Sequence, residues 1–163
     1  IKIIKSIIGG FIMKSLEQIL KQEPVYLNDW SNKIDIIGDF EEIHMNSRDY
    51  YSETPTYYEK SWLEDKKKMK EALEEYKDIN VLFASYSYEN YSGDAFVLFE
   101  KDGKLYEVNG SHCSCYGLEG QFEPEETSLE YLEKILKEGT FGTNSYSGNE
   151  FKHELCEFLG VEV

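Results

Sequence analysis

The sequence predicts an α+β fold: an antiparallel β meander over about residues 80–109 packed against a long helix at 55–78, with a short N-terminal helix and two further C-terminal helices. Two observations carry this prediction. The spacing of apolar residues changes from helical to alternating near residue 80. Asp102-Gly103 then stands between two apolar runs, the pair of residues best able to take the positive φ angles of a two-residue hairpin turn. A third observation says that the chain folds. Its 163 residues are 40% hydrophobic and 15% aromatic, with 13 Tyr and 9 Phe, too rich in core formers for a disordered segment despite 30% charge. A chain of this length buries a core without disulfide or metal staples.

Each element has its own signal. Residues 1–12, IKIIKSIIGGFI, are too short and too interrupted by glycine to span a membrane, and they lack a small-residue cleavage site. Gly9-Gly10-Phe11-Ile12-Met13 is also what a purine-rich ribosome-binding sequence, a spacer and a start codon would encode. Residues 1–12 therefore read as a translated leader, with an apolar N-terminal extension as the alternative, and residues 13–163 as a single α+β domain. Ser15-Leu16-Glu17-Gln18 has capping-box spacing and opens a short helix to about Gln22, with Leu16, Ile19 and Leu20 on its apolar face. Ile34–Ile37 reads as a short strand ending at Gly38-Asp39, and residues 41–54 as a long, Tyr-rich loop without period. Thr54-Pro55 supplies a cap and a first-turn proline for the long helix, whose inner face is Tyr58, Trp62, Met69, Leu73 and Tyr76. Its outer face sets six lysines against seven acids, a solvated and nearly neutral surface.

From Val81 to Tyr88 the alternation puts Leu82, Ala84, Tyr86 and Tyr88 on one side and Ser85 and Ser87 on the other. Asn90–Asp94 is turn chemistry, Ala95–Glu100 a second strand and Leu105–Val108 a third. Further on, Thr127 and Glu130 have capping-box spacing for a helix with Leu129, Leu132, Ile135 and Leu136 inward, ended by Gly139. Residues 140–149 read as a Gly/Ser/Asn loop, and Asn149 as the cap of a last helix that buries Phe151, Leu155, Phe158 and Leu159 before Gly160.

Charge narrows the function classes. A formal net charge of −15 disfavours direct binding to a phosphate backbone and favours a basic protein surface as partner. The acidity is concentrated: residues 119–163 hold eleven glutamates against three lysines. Three cysteines cannot all pair, which suits thiols in a reducing cytoplasm.

Gly110–Gln121, GSHCSCYGLEGQ, gathers His112, Cys113 and Cys115 within four residues. Three readings are open. A zinc site could draw on His112, Cys113, Cys115, His153 and Cys156, although C-x-C replaces the usual C-x2-C knuckle. A thiolate nucleophile, Cys113 or Cys115, could be paired with His112 or His153, which would make the chain an enzyme. The third reading, preferred here, is architectural: reduced, partly buried thiols and a histidine that hydrogen-bonds in a glycine-rich turn, with no cofactor and no catalysis.

Residues 93–132, GDAFVLFEKDGKLYEVNGSHCSCYGLEGQFEPEETSLEYL, resemble a pattern found in small proteins encoded by bacteriophages and prophages, carried by GSHCSCYGLEGQ, an aromatic at Phe122 and EPEE at 123–126. The pattern loop comprises His112, Cys113, Cys115, Tyr116 and Gln121. The resemblance covers about a quarter of the chain and brings no established catalytic residue. With the charge, it implies an anti-CRISPR-like inhibitor in the cytoplasm of a bacterial host, occupying the basic nucleic-acid channel of a defence effector. Glu119, Glu123, Glu125, Glu126, Glu130 and Glu133, with Tyr50 and Tyr51 of the Tyr-rich loop, are the candidate contact residues. The alternative is a phage accessory module that binds a small ligand or peptide.

Overall fold

A computed structural model describes residues 13–163; the leader or extension at residues 1–12 lies outside the described residues. Among them the order is α1 (Leu16–Leu20), β1 (Val25–Asn28), α2 (Lys33–Glu41), α3 (Ser47–Tyr51), α4 (Glu59–Glu75), β2 (Asn80–Glu89), β3 (Ser92–Lys101), β4 (Lys104–His112), β5 (Glu125–Thr127), α5 (Leu129–Glu138), β6 (Thr143–Asn144), β7 (Asn149–Glu150) and α6 (Lys152–Leu159). The fold is α+β. Strands β1 to β5 form one mixed sheet in sequence order, antiparallel except for the parallel β1–β2 pair, and β6–β7 form a small ladder.

The meander is as the alternation predicts, and Asp102 (φ 52) and Gly103 (φ 80) both sit in the left-handed region its turn requires. The β2–β3 turn does the same with Asn90 (φ 53) and Tyr91 (φ 59), an uncommon conformation for a bulky residue. Three details differ from expectation. The turn expected at Asn90–Asp94 is confined to Asn90 and Tyr91, since β3 begins at Ser92; the third strand runs four residues beyond Val108, to His112; and a register shift between Val81 and Phe83 interrupts the alternation of β2. Leu82 and Phe83 consequently reach the same core, and Leu82 does not share a face with Ala84.

Both faces of the sheet are covered. On the first, Leu82, Phe83, Phe96, Leu98 and Leu105 pack against Ile19 of α1, Leu132 and Leu136 of α5, and Leu155, Phe158 and Leu159 of α6. Phe96 and Phe151 stack with centroids 5.2 Å apart and planes 4° from parallel. On the second, Val81, Ala84, Ala95, Val97, Phe99 and Val108 meet Trp30 and the α2 residues Ile36 and Phe40.

The long helix does not lie on the sheet as expected; α2 stands between. Ile34 and Ile37 of α2 turn outward to Trp62, Met69, Ala72 and Tyr76, so α4 forms an outer layer. This arrangement overturns the strand expected at Ile34–Ile37. The run lies in the first half of a nine-residue helix capped by Asn32, whose side chain accepts from Asp35 N at 3.1 Å. Gly38 is fixed by the return of the chain, since a Cβ there would lie 2.8 Å from the Ile43 carbonyl oxygen.

The segment expected as an aperiodic loop at 41–54 holds α3, capped reciprocally by Asn46 and Asp49. The Asp49 carbonyl takes the Trp62 indole N–H at 2.9 Å and the Asp49 carboxylate takes the Thr56 hydroxyl at 2.8 Å, which ties residues 52–58 down as a loop. Thr54-Pro55 therefore does not start the long helix. The helix begins at Glu59 and ends at Glu75, and Tyr58, 72% exposed, is not on its inner face.

Two caps are also displaced. Thr127 belongs to β5, so Ser128 caps α5 by accepting from Tyr131 N at 3.1 Å. Asn149 does not cap α6. It is fully buried, accepts from Ser85 Oγ at 2.6 Å and donates to Asp94 Oδ2 at 3.2 Å, while Asn28 donates to Ser85 Oγ at 2.8 Å. The loop at 140–149 is thus partly the β6–β7 ladder, which delivers that asparagine to the sheet.

Candidate functional site

His112 is the last residue of β4 and pairs across the ladder with Gly93 of β3. Because Gly93 has no side chain, the imidazole folds over it and reaches β2. There it hydrogen-bonds the Tyr86 hydroxyl through Nε2 at 2.6 Å and stacks on Tyr88 at 5.1 Å. A Cβ at Gly93 would lie 2.0 Å from Nε2. Nδ1 donates to the Cys113 carbonyl at 2.7 Å, which leaves Nε2 of the neutral ring to accept the Tyr86 O–H. Burial is the main cause that raises the Tyr86 phenol above its ordinary range, followed by nearby Asp39 and Asp29. Tyr86 in turn packs on Trp30, whose indole N–H donates to Asp39 Oδ2 at 2.7 Å, and burial raises the Asp39 carboxyl.

The rest of GSHCSCYGLEGQ is largely built around the same strand end. Leu118 is 1% exposed and approaches Gly110 so closely that a Cβ there would be 2.9 Å from its methyl carbon. Gln121 bridges the loop, accepting from Ser111 N at 2.9 Å and donating to the Gly117 carbonyl at 3.0 Å. Glu119 folds back on the Gly117 N–H at 3.0 Å; backbone N–H groups, its own foremost, lower its carboxyl below the usual range. Tyr116 is exposed.

The thiols depart from the expected burial: Cys113 and Cys115 are exposed and only Cys156 is buried. Cys113 Sγ accepts from Cys115 N at 3.3 Å. This N–H, with the Cys115 thiol, lowers the Cys113 pKa, whereas the hydrogen bond with Cys113 raises that of Cys115. Among the described residues no histidine hydrogen-bonds either thiol, and both ring nitrogens of His112 are engaged elsewhere. The five-residue zinc set is not gathered. Cys156 lies in the core on the first face, His112 lies with Tyr86 on the second, and His153 is exposed beside Glu157 at 3.7 Å. Among the described residues no three His, Cys, Asp or Glu side chains converge as metal ligands would.

The acidic candidates separate into two kinds. Glu119 is committed to its loop, and Glu133 is half-buried and paired with Lys137 at 3.4 Å. Glu123, just before β5, with Glu125 and Glu126 of β5 and Glu130 at the start of α5, are exposed and lie outside the ion pairs among the described residues. Tyr51 is 71% exposed, but Tyr50 is half-buried against α4, with the Lys66 ammonium 5.9 Å from its ring.

Beside this edge lies a cavity of about 670 Å³ lined by Glu107, Glu125, Glu126, Thr127, Ser128 and Tyr131. Glu107 is 8% exposed; Oε1 accepts from Asn109 Nδ2 at 2.8 Å, and Oε2 is buried without a hydrogen-bond partner. Thr127 Oγ1 is in the same condition. Sequence reasoning missed both. The available signal was the phase of β4, in which Glu107 follows Leu105 by two residues and so points to the same covered face.

No known protein family, curated protein or solved structure matches the chain. Among the described residues no helix is long and apolar enough to cross a membrane.

Proposed function

We propose that the chain is a phage-encoded acidic binding protein, not an enzyme, that inhibits a bacterial defence effector by occupying a basic surface built to hold nucleic acid, as anti-CRISPR proteins do. The observation that carries this reading is the row of exposed glutamates on β5 and the start of α5, held at the sheet edge with no basic residue paired to them among the described residues. Carboxylates so placed stay hydrated until a partner arrives and steer a cationic surface toward one edge. Tyr131, 49% exposed on the same edge, supplies an aromatic anchor of the kind that concentrates interface energy. The net charge of −15 and the resemblance of residues 93–132 to phage-encoded proteins point the same way.

The test measures target-DNA binding by purified RNA-guided nucleases with increasing amounts of this protein at low and high salt. Inhibition of at least one effector, weakened by salt and by the combined change Glu123→Gln, Glu125→Gln, Glu126→Gln and Glu130→Gln, is expected. Absence of inhibition across effector classes, or inhibition unchanged in the four-glutamine variant, would refute the reading.

A further inference from the structure

We propose that the cavity between β4, β5 and α5 is a receptacle for a guanidinium group, taking an arginine side chain of the partner. The proposal deepens the reading above and rests on it for the identity of the partner, although not for the chemistry of the pocket.

Two buried acceptors make the case. A carboxylate oxygen withdrawn from water and left without a donor is costly, and natural structures rarely keep one without a purpose. Here Glu107 Oε2 and Thr127 Oγ1 are both in that state, and both line the same cavity. Thr127 lies opposite Leu105 and Glu125 opposite Glu107, so Glu107 and Thr127 are diagonal neighbours on one face of the ladder. Diagonal neighbours on a ladder are roughly 7–8 Å apart, within reach of a long side chain. A planar fork of five N–H donors is suited to serving two such acceptors at once, more so than the compact ammonium of lysine.

The surroundings fit the rest of an arginine. Asn109 already holds Oε1, which orients the carboxyl and leaves Oε2 to the incoming group. The Tyr131 ring borders the cavity and offers a face to a guanidinium. An adjoining space of about 630 Å³, sharing Glu107 and Tyr131, is bordered by Ile135 and Phe141, apolar walls for a methylene stem. Lys134 also borders this adjoining space while Glu125 and Glu126 border the first, so the potential favours entry of a cation past the two glutamates. No metal reading competes, since no three ligand side chains converge there.

The experiment titrates the full chain with Nα-acetyl-arginine methylamide and Nα-acetyl-lysine methylamide, followed by amide NMR shifts. Saturable millimolar binding of the arginine probe is expected, with the largest shifts at 107, 127 and 131. Glu107→Gln, which keeps the shape and the Asn109 bond, should weaken it about tenfold or more. Tyr131→Leu, at a half-exposed position, should weaken it several-fold, and the lysine probe should bind several-fold more weakly than arginine. Equal binding of the two probes, or arginine binding unchanged in Glu107→Gln, overturns the assignment, as does the absence of saturable shifts. Arginine binding in a chain that inhibits no effector would leave the receptacle standing and remove the functional reading. Inhibition that survives Glu107→Gln without probe binding would do the reverse.

Discussion

Gly93→Ala tests how the strand end is assembled. The new Cβ would sit 2.0 Å from His112 Nε2, so the ring must leave. Its departure removes the Tyr86 hydrogen bond, worth about 1 kcal/mol net, and leaves a half-buried hydroxyl without its partner, a further 1 kcal/mol or so. The stacked contact with Tyr88 adds about 0.5–1.5 kcal/mol. Alanine recovers roughly 0.5–1 kcal/mol of backbone entropy relative to glycine in a strand. The net cost is therefore about 2 kcal/mol, readable by urea denaturation with Trp30 fluorescence, since that indole packs 5.2 Å from Tyr86. The decisive measurement is the double-mutant cycle with His112→Ala. Once the imidazole is gone the methyl group has room, so Gly93→Ala should cost nothing, or stabilise slightly, in that background, giving a coupling of about 2 kcal/mol. The same cost in both backgrounds, or a neutral single mutant, would refute the account of His112.

Three other outcomes are expected. Asn149→Ala, which strands Ser85 and Asp94 in a buried network, should cost about 3 kcal/mol in the same assay; a loss below about 1 kcal/mol would mean the network contributes little. Burial raises the Asp94 carboxyl, so the folded state holds that proton more tightly than the unfolded one. Its contribution to stability should be greatest below the ordinary carboxyl range and decline as pH rises through the raised folded value. Asp94→Asn should therefore gain on the parent as pH rises, and a variant that instead loses ground to the parent over that range would reverse the sign. In a thiol-reactivity assay Cys113 should react first and Cys156 only on unfolding; a fast phase that persists in Cys113→Ser would contradict the assigned hydrogen bond.

The legible parts of the sequence were those in which one face of an element meets the core. The β3–β4 hairpin follows from alternation and a turn with its own chemistry, and the capping box of α1 from local spacing. The α2 helix hid because it is sandwiched: Ile36 and Phe40 face the sheet while Ile34 and Ile37 face α4, which leaves only the narrow Asp35–Asp39 stripe to mark its period. Strand β1 is four residues long and pairs in parallel with β2, a partner more than fifty residues away that no local signal names. At the candidate site, the exposed glutamates could be read from composition. The burial of Glu107 is legible in the phase of β4, but its unpartnered oxygen is not, because that depends on Asn109 and Thr127 at neighbouring positions of a ladder whose last strand, β5, is only three residues long.

The position of α4 outside α2 has a mechanical consequence. Force or fluctuation that separates α2 from α4 exposes Trp62 and Met69 without breaking a single rung of the five-stranded sheet. The molecule is thus graded in toughness through its thickness, with amide protons in α4 free to exchange by a local opening while those of β3, flanked on both sides and clad on both faces, wait for global unfolding. The acidic edge belongs to the tougher layers, so its shape survives excursions of the outer helix.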